Sequence, residues 1–113
     1  MKTLNFFPFY ERYLVERNKT TTFRLCPADY QPGERVRLTV GWDENTARQL
    51  HDVVITSVYQ KPIQNLNDAD FEGESPDCKD WQSTVLVLSS IYRTIVSADR
   101  NIWIVKFRHC GHN

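Results

Sequence analysis

The sequence predicts a single α+β domain over residues 1–113, built as a small mixed or antiparallel β-barrel flanked by two or so helices. Strand-like runs outnumber helix-like runs, which favours a fold organised around a sheet. A chain of 113 residues is long enough for one domain with one modest core. Because exposed strand edges invite pairing with other chains, a closed barrel or a strongly bent sheet is the economical arrangement.

The N-terminal part is predicted to form a short strand, a helix and a second strand. Residues 3–6 suit a strand, and Pro8 suits the first turn of a helix because its missing N–H is not needed there. Apolar residues in 9–18 recur three and four positions apart, which predicts a one-sided helix that ends near Asn18. The run 20–25 begins with three threonines, whose branched side chains favour a strand.

The central part is predicted to contain two strands joined by polar connections. Residues 26–34 include two prolines and a glycine, which favour turns. The run 35–42 alternates apolar and polar residues, as a half-buried strand does. A polar connection is predicted over 43–51, followed by a long β-branched strand over 52–63 that Pro62 ends.

The C-terminal part is predicted to contain a helix and a closing strand. Residues 65–74 suggest a loop with one helical turn, and Ser75 and Pro76 resemble an N-cap followed by a first-turn proline. A helix face is then predicted by apolar residues spaced four and three apart, namely Trp81, Val85, Leu88, Tyr92 and Ile95. A final strand is predicted over 102–110.

Charge and composition argue against several classes of protein. Basic and acidic residues number 14 each, so no overall field draws the chain to long nucleic acid or to a membrane. Acidic residues are concentrated in 68–80, so any anion site is expected to come from the two ends of the chain. The sequence has neither a signal-peptide pattern nor an apolar run of membrane-spanning length, and its three cysteines are widely spaced. A cytoplasmic protein with free thiols is expected.

No cofactor or metal is expected. The tail 109–113 contains two histidines and a cysteine, which are zinc ligands in other contexts. Three ligands within four residues at a terminus make a poor tetrahedral set, so a frayed tail is predicted instead.

Four segments, in this order, resemble the ASCH domain family, a branch of the PUA-like fold. The first, 17-RNKTTTFRL-25, is similar to the lysine- and threonine-rich motif that opens the domain. The second is 32-PGERVRLTV-40, in which Glu34 replaces the family's usual aspartate. The third is 53-VVITSVYQKPIQNLNDADFEGES-75, a long strand followed by a Glu-Gly pair, and the fourth is the closing strand 102-IWIVKFR-108. The resemblance implies a PUA-like barrel.

Within that family the chain resembles the small bacterial acetylcytidine amidohydrolases, which also have an aromatic helix before the motif. This resemblance implies a catalytic lysine, threonine and glutamate at Lys19, Thr22 and Glu72, with Glu74 as the alternative acid. They would cleave the acyl amide of a modified nucleoside, in a cleft between the barrel and the segment around Glu72. The glutamate would activate water, and the threonine would donate a hydrogen bond to the developing oxyanion.

The lysine could serve as nucleophile or base if a neighbouring cation, Arg24 or Arg17, lowered its pKa. Two departures from the family pattern concern the identity of the substrate. Asn18 replaces a basic residue that often precedes the lysine, and the stretch 75-SPDCKDW-81 is longer and contains a proline.

A non-catalytic RNA- or nucleotide-binding module is the alternative function, and a ribonuclease is the third. The expected partner is a nucleoside or a short RNA and not a membrane, and the protein is expected to be a monomer or a homodimer. The residues predicted to bind substrate or RNA are Thr20, Arg24, Arg37, Trp42 and Glu74. Trp42 follows a glycine at a strand end, where an exposed indole could stack on a base. A near-zero net charge counts against tight binding to long RNA.

Each of these residues also has an ordinary structural interpretation. A lysine after a helix is usually solvated, Arg24 could simply pair with an acid of 68–80, and Glu72 could be one more solvated carboxylate. Trp81 and Trp103 are expected to fill or cover the core. In the catalytic interpretation Lys19 lies at the floor of the cleft, and replacing it by alanine is expected to abolish activity or ligand binding while changing stability little.

Overall fold

A five-stranded sheet curled into a half-barrel organises the computed structural model, which describes residues 1–111. The strands are β1 (Thr3–Phe6), β2 (Thr21–Arg24), β3 (Arg35–Val40), β4 (Arg48–Pro62) and β5 (Asn101–His109). The helices are α1 (Glu11–Val15), α2 (Asp68–Phe71) and α3 (Trp81–Tyr92), with 3₁₀ turns at Pro8–Tyr10, Glu44–Thr46 and Ile63–Asn65. In this part of the chain no helix is long and apolar enough to cross a membrane. The predicted α+β class is confirmed.

The order of the strands places the two N-terminal strands at opposite edges of the sheet. The order is β1-β3-β4-β5-β2; β1 pairs with β3 in parallel, and the other neighbours are antiparallel. The register between β4 and β5 shifts between Ile55 and Ser57, and such an irregularity bends a strand. Arg24 Nη2 on β2 donates a hydrogen bond of 2.8 Å to the carbonyl oxygen of Asn5 on β1. One arginine therefore bridges the two edges of the curled sheet.

Two apolar clusters form the core. The first joins β1, β3 and β4 to Tyr10 and Leu14, and the second joins β2 and β5 to α3. The predicted inward-facing residues Val36, Leu38 and Val40 are all buried in the first cluster. This confirms the alternating pattern from which β3 was predicted.

Both helices begin or end differently from the prediction. The predicted helix over 9–18 is a 3₁₀ turn followed by the short α1, which stops because Arg17 adopts a positive φ of 64°. The predicted start of α3 at Ser75 is wrong, because Asp80 is the N-cap and accepts a hydrogen bond of 2.7 Å from the Ser83 N–H. Ile95 lies beyond the end of α3 and is 94% exposed, so its predicted place on the packed face is also wrong.

The segment 43–51 was predicted to be only a polar connection, and that is wrong for its second half. β4 begins at Arg48, where it already pairs with Val40 of β3. Polar side chains on the solvent face hide this part of the strand from a pattern based on burial.

The loop after α2 is fixed against β2 and β5 by its backbone. The Gly73 carbonyl oxygen accepts hydrogen bonds from Thr20 N (2.8 Å) and Thr21 N (3.1 Å). Thr21 Oγ1 donates to the Glu72 carbonyl oxygen at 2.6 Å, and Lys106 Nζ donates to the same oxygen at 3.2 Å. Gly73 has a φ of +84°, and a Cβ there would clash with Thr20 Oγ1. Position 73, where the loop meets β2, therefore requires glycine.

Candidate functional site

A cavity of about 470 Å³ lies where β1, β2 and α3 face one another. That volume is within the range of roughly 300–1,000 Å³ found for small-molecule sites. Aromatic side chains make up much of its wall, and a few polar side chains converge within it. The aromatic lining residues include Phe6, Phe7, Tyr10, Phe23, Trp42 and Tyr92. A wall of this composition suits a flat, largely apolar ligand that carries a few polar groups.

A sealed ion pair forms the polar part of this wall. Lys19 lies just before β2, and its ammonium group contacts a Glu74 carboxylate oxygen directly. Each of these side chains is only 3% exposed. The Lys19 ammonium also donates to Ser75 Oγ at 3.2 Å and lies 4.9 Å from the centre of the Tyr10 ring. Because water has so little access to this pair, its charged groups make their hydrogen bonds with protein atoms.

Thr22 and Arg24 lie on the same wall. Arg24 Nε donates to Thr22 Oγ1 at 3.1 Å, and the Arg24 guanidinium stacks 4.9 Å from the centre of the Phe6 ring. Because Thr22 accepts this hydrogen bond, its own hydroxyl hydrogen is available to an acceptor placed in the cavity. The structural alternative for Arg24 is not observed: within residues 1–111 the guanidinium pairs with no acid of 68–80.

Lys19 and Thr22 approach the cavity together because Lys19 is outside the strand. In a regular strand, residues three apart point to opposite faces. β2 starts at Thr21, and Lys19 is held at the junction by its own N–H, which donates to the Tyr13 carbonyl oxygen at 3.2 Å. The helix-to-strand turn therefore allows both side chains to line one cavity.

Behind the ion pair lies a second acid, Asp77. Tyr10 donates from its hydroxyl to Asp77 Oδ2 at 2.7 Å, and Ser75 Oγ lies 2.8 Å from Asp77 Oδ1. Burial and the neighbouring Asp77 raise the pKa of Tyr10 above its ordinary value. Burial, with Glu74 and Asp77 nearby, raises the pKa of the Cys78 thiol to about 12. Cys78 therefore lines the cavity as an inert thiol.

Five of the predicted site residues line the cavity and three do not. Lys19, Thr22, Arg24, Trp42 and Glu74 line it. The Glu72 side chain is exposed, and the part of Glu72 that contacts β2 is its carbonyl oxygen. Thr20 packs against Gly73. Arg37 contacts Asp52 and donates to Gln49 Oε1 at 2.7 Å.

Trp42 is exposed at the edge of the cavity, as predicted. Its side chain is 70% exposed. Its ring lies 5.0 Å from the ring of Phe7 and 6.2 Å from that of Phe9, which is itself 54% exposed. Trp81 and Trp103 are partly buried, in agreement with their predicted role as core cover.

The start of the C-terminal tail is ordered, which corrects the prediction of a frayed tail. His109 ends β5, and its Nε2 donates to the Lys19 carbonyl oxygen at 2.7 Å. Its Nδ1 lies 2.7 Å from His51 Nε2, and burial lowers the pKa of both imidazoles. The remaining tail residues of that prediction, 112–113, lie outside the described part. Within it, no three side chains of histidine, cysteine, aspartate or glutamate are grouped to hold a metal ion.

Four residues of the site were missed by sequence reasoning, namely Asn5, Tyr10, Ser75 and Asp77. Tyr10 was assigned only to an amphipathic helix, although its place in an aromatic run was the available signal. Ser75 and Asp77 belong to the stretch 75-SPDCKDW-81, where the sequence departs from the family pattern. The Ser75-Pro76 pair in this stretch predicts a helix start and hides the site residues. No signal in the sequence marks Asn5, because its position beside the cavity depends on the curl of the sheet.

Two crystal structures resemble this fold. One is an ASCH domain from Lactobacillus crispatus, with a TM-score of 0.66 and 13% identity over 96% of this chain and 79% of that one. The other is a DUF984-family protein from Enterococcus faecalis, with a TM-score of 0.62 and 14% identity over 90% of this chain and 73% of that one. No protein-family model and no curated protein matches the sequence. The chain therefore has the ASCH-domain fold, which confirms the fold that the sequence motifs implied.

Proposed function

We propose that this protein is a small amidohydrolase that cleaves the acyl amide of a modified nucleoside such as acetylcytidine. The observation that carries the proposal is the sealed pair of Lys19 and Glu74 on the wall of an aromatic-lined cavity, beside the hydroxyl of Thr22. A flat base fits between aromatic side chains, and an amide needs a base for water and donors for its carbonyl oxygen. The cavity contains each of these groups.

Glu74 is the acid of the proposed site, in preference to Glu72. Its carboxylate lines the cavity and contacts the Lys19 ammonium, whereas the Glu72 side chain is exposed to solvent. A general base must come within hydrogen-bonding reach of the water that it activates. The position of Glu74 on the cavity wall therefore supports Glu74 over Glu72 as the proposed base.

The proposed reaction proceeds by water attack on the acyl carbon. Glu74 takes one proton from water as the oxygen bonds to the carbonyl carbon. The resulting oxyanion is stabilised by the Lys19 ammonium and by the free hydroxyl hydrogen of Thr22. Glu74 then delivers its proton to the exocyclic nitrogen of the base, the carbon–nitrogen bond breaks, and the products are the amine and a carboxylic acid. Lys19 acts here as a fixed cation and not as a nucleophile.

A non-catalytic binding module for nucleosides or short RNA is the second candidate. The observation in its favour is the aromatic group beside the cavity, in which the exposed Trp42 and Phe9 lie next to the partly buried Phe7. Bases stack on such rings without any chemical step. A ribonuclease remains the third, and it would use the same cavity.

The test is release of cytidine from acetylcytidine, followed by chromatography, with Glu74→Gln and Glu72→Gln compared as a matched pair. We expect Glu74→Gln to lower kcat by roughly 10²–10⁴-fold, the usual contribution of a general base. Glu72→Gln should retain activity because its side chain is in solvent. Thermal unfolding of each variant shows whether it is folded.

Three other outcomes are informative. Absence of release by the wild type overturns the amidohydrolase proposal. If the wild type then binds acetylcytidine or a short RNA saturably, the binding module takes its place, and cleavage of the RNA favours the ribonuclease. Equal loss in the two glutamate variants would contradict the choice of Glu74.

A further inference from the structure

We infer that Ser75 and Asp77 form a proton path between the sealed Glu74 carboxylate and bulk water. The role of this path rests on the proposed hydrolysis, but the contacts that form the path do not depend on a substrate. Ser75 Oγ lies 3.0 Å from Glu74 Oε1 and 2.8 Å from Asp77 Oδ1. Ser75 is 4% exposed, whereas Asp77 is an exposed residue. One hydroxyl therefore joins a buried carboxylate to a solvated one.

The proposed reaction creates a need for this path. Hydrolysis of an acyl amide near neutral pH gives a carboxylate, a neutral aromatic amine and one net proton. The Glu74 side chain is only 3% exposed, and a bound base would occupy the cavity side of the pair. The carboxylic acid formed beside Glu74 passes its proton to that carboxylate before it leaves as an anion, and this proton needs a route that does not cross the bound base.

The transfer is balanced and runs from one carboxyl group to another through a single hydroxyl. Protonated Glu74 donates its proton to Ser75 Oγ, while the Ser75 hydroxyl hydrogen passes to Asp77 Oδ1. Ser75 ends with one hydroxyl hydrogen, Glu74 is again a carboxylate, and Asp77 releases the proton to water.

Tyr10 orients the outer acid. Its hydroxyl donates to Asp77 Oδ2 at 2.7 Å, which leaves Asp77 Oδ1 directed towards Ser75. The Tyr10 ring also lies under the Lys19 ammonium, so one side chain contacts both the outer acid and the cation of the ion pair. The other titratable group close to this network is Cys78, whose thiol stays protonated at neutral pH because burial raises its pKa to about 12.

The first test needs no substrate. In protein with ¹⁵N-labelled lysine, NMR measures the rate at which the Lys19 ammonium protons exchange with water. Lys19 Nζ donates to Ser75 Oγ at 3.2 Å, so a proton that leaves Lys19 can use the same hydroxyl and the same outer acid. We expect several-fold slower exchange in Ser75→Ala and in Asp77→Asn than in the wild type.

The direction of the change separates a proton path from a purely structural contact. If Ser75 only braces the ion pair, its removal loosens the pair and exchange becomes faster. Faster or unchanged exchange in both variants overturns the inference. The matched control is Ser97→Ala with Asp99→Asn, because Ser97 Oγ makes the same contact to Asp99 Oδ1 at 2.7 Å on an exposed loop. These changes should leave Lys19 exchange unaltered.

A second test uses turnover of acetylcytidine. Asp77→Asn should lower kcat on the order of 10-fold, less than the roughly 10²–10⁴-fold contribution of a direct general acid or base, because Asp77 does not touch the substrate. Added imidazole, a small proton carrier, should restore the rate in proportion to its concentration, whereas a structural defect would not respond. Lack of restoration in an otherwise active, folded Asp77→Asn variant contradicts the inference. If the wild type shows no turnover, the proposed function fails, and the exchange measurement alone decides on the path.

Discussion

The ion pair of Lys19 with Glu74 is sealed at the cavity, whereas the contacts of Asp52 with Arg35 and Arg37 lie on the surface. The Lys19 and Glu74 side chains are each 3% exposed. Arg35 and Arg37 are 57% and 34% exposed, and both donate to the same carboxylate. That carboxylate has a lowered pKa because the Arg37 and Arg35 guanidinium groups donate hydrogen bonds to it. The two regions thus use the same chemistry in different surroundings.

The difference shows that burial, and not the presence of a charge pair, marks the candidate site. Water screens an exposed pair and competes for its hydrogen bonds, so such a pair contributes little to stability or reactivity. A buried pair has given up its hydration and depends on its partner and its hydrogen bonds. That dependence makes the Lys19 region sensitive to substitution, and it fixes the Lys19 ammonium on the cavity wall.

The largest expected effect comes from breaking the sealed pair with Lys19→Ala. We expect loss of any activity together with a fall of about 3–5 kcal/mol in the free energy of unfolding, because Glu74 is left buried and unpaired. The expected loss of stability differs from the expectation from sequence, which was that Lys19→Ala would change stability little. Urea denaturation measures the change. The double variant Lys19→Met with Glu74→Leu should recover much of the stability but no activity, and a double as unstable as Lys19→Ala would contradict this account.

The next effect concerns the loop that delivers Glu74 to Lys19. Gly73→Ala and Gly33→Ala both place alanine at a positive φ, which costs about 1–3 kcal/mol. Only Gly73 has a neighbour, Thr20, with which the new Cβ would clash, whereas nothing lies within 4 Å of Gly33. We therefore expect Gly73→Ala to have the lower thermal midpoint and the lower turnover. Equal midpoints and activities would show that the loop tolerates the displacement.

A smaller effect, on the pH dependence of stability, is expected from His51 and His109, which lie between the Lys19 and Asp52 regions. Burial lowers the pKa of His51 and His109 in the folded protein below the ordinary value of about 6.5. As the pH falls below that value, the unfolded chain binds protons that the folded protein does not, so stability decreases towards acid. Thermal midpoints from pH 8 to pH 5 should fall less steeply in His51→Gln with His109→Gln than in the wild type. If the thermal midpoints of the variant and the wild type fall equally steeply with pH, this histidine pair is not the cause of the loss of stability.

The smallest effect is expected at the surface contact. Arg35→Ala removes one of the two donors to Asp52 while Arg37 remains. We expect almost no change in the thermal midpoint or in turnover, and whatever change exists should disappear at high salt because ions screen exposed charges. A loss comparable to that of Lys19→Ala would remove the distinction between the two regions.

The fold was largely predictable from sequence because its elements are determined locally. The alternation of Val36, Leu38 and Val40 reports burial on one face of β3, and the sheet confirms it. The four ordered motifs added the family resemblance, which the structural similarity to an ASCH domain supports at the level of the fold. The start of α3 could not be predicted as reliably, because Ser75 and Asp80 are both good N-caps and only packing chooses between them.

The site was less predictable because its contacts join distant parts of the chain. Lys19 and Thr22 stand in one short motif, so a sequence pattern could name them. The sequence does not show which of Glu72 and Glu74 faces the cavity. Gly73 lies between them with a positive φ, and in the folded chain the Glu74 carboxylate points inwards while the Glu72 side chain is exposed. The contact of Tyr10 with Asp77 spans 67 positions and follows from no local rule.

The arginine bridge between Asn5 and Arg24 has a consequence for folding. β1 and β2 follow one another in the sequence, yet β3, β4 and β5 lie between them in the sheet. The wall that Asn5 and Arg24 share therefore depends on the pairing of β2 with β5, which joins Thr22 to Val105 across most of the chain, and pairings of such long range form slowly. A chain still emerging from the ribosome presents the lysine–threonine motif early but without its cavity. We therefore expect any ligand binding in this cavity to require the finished sheet, so that its onset during refolding would time the last pairing of the strands.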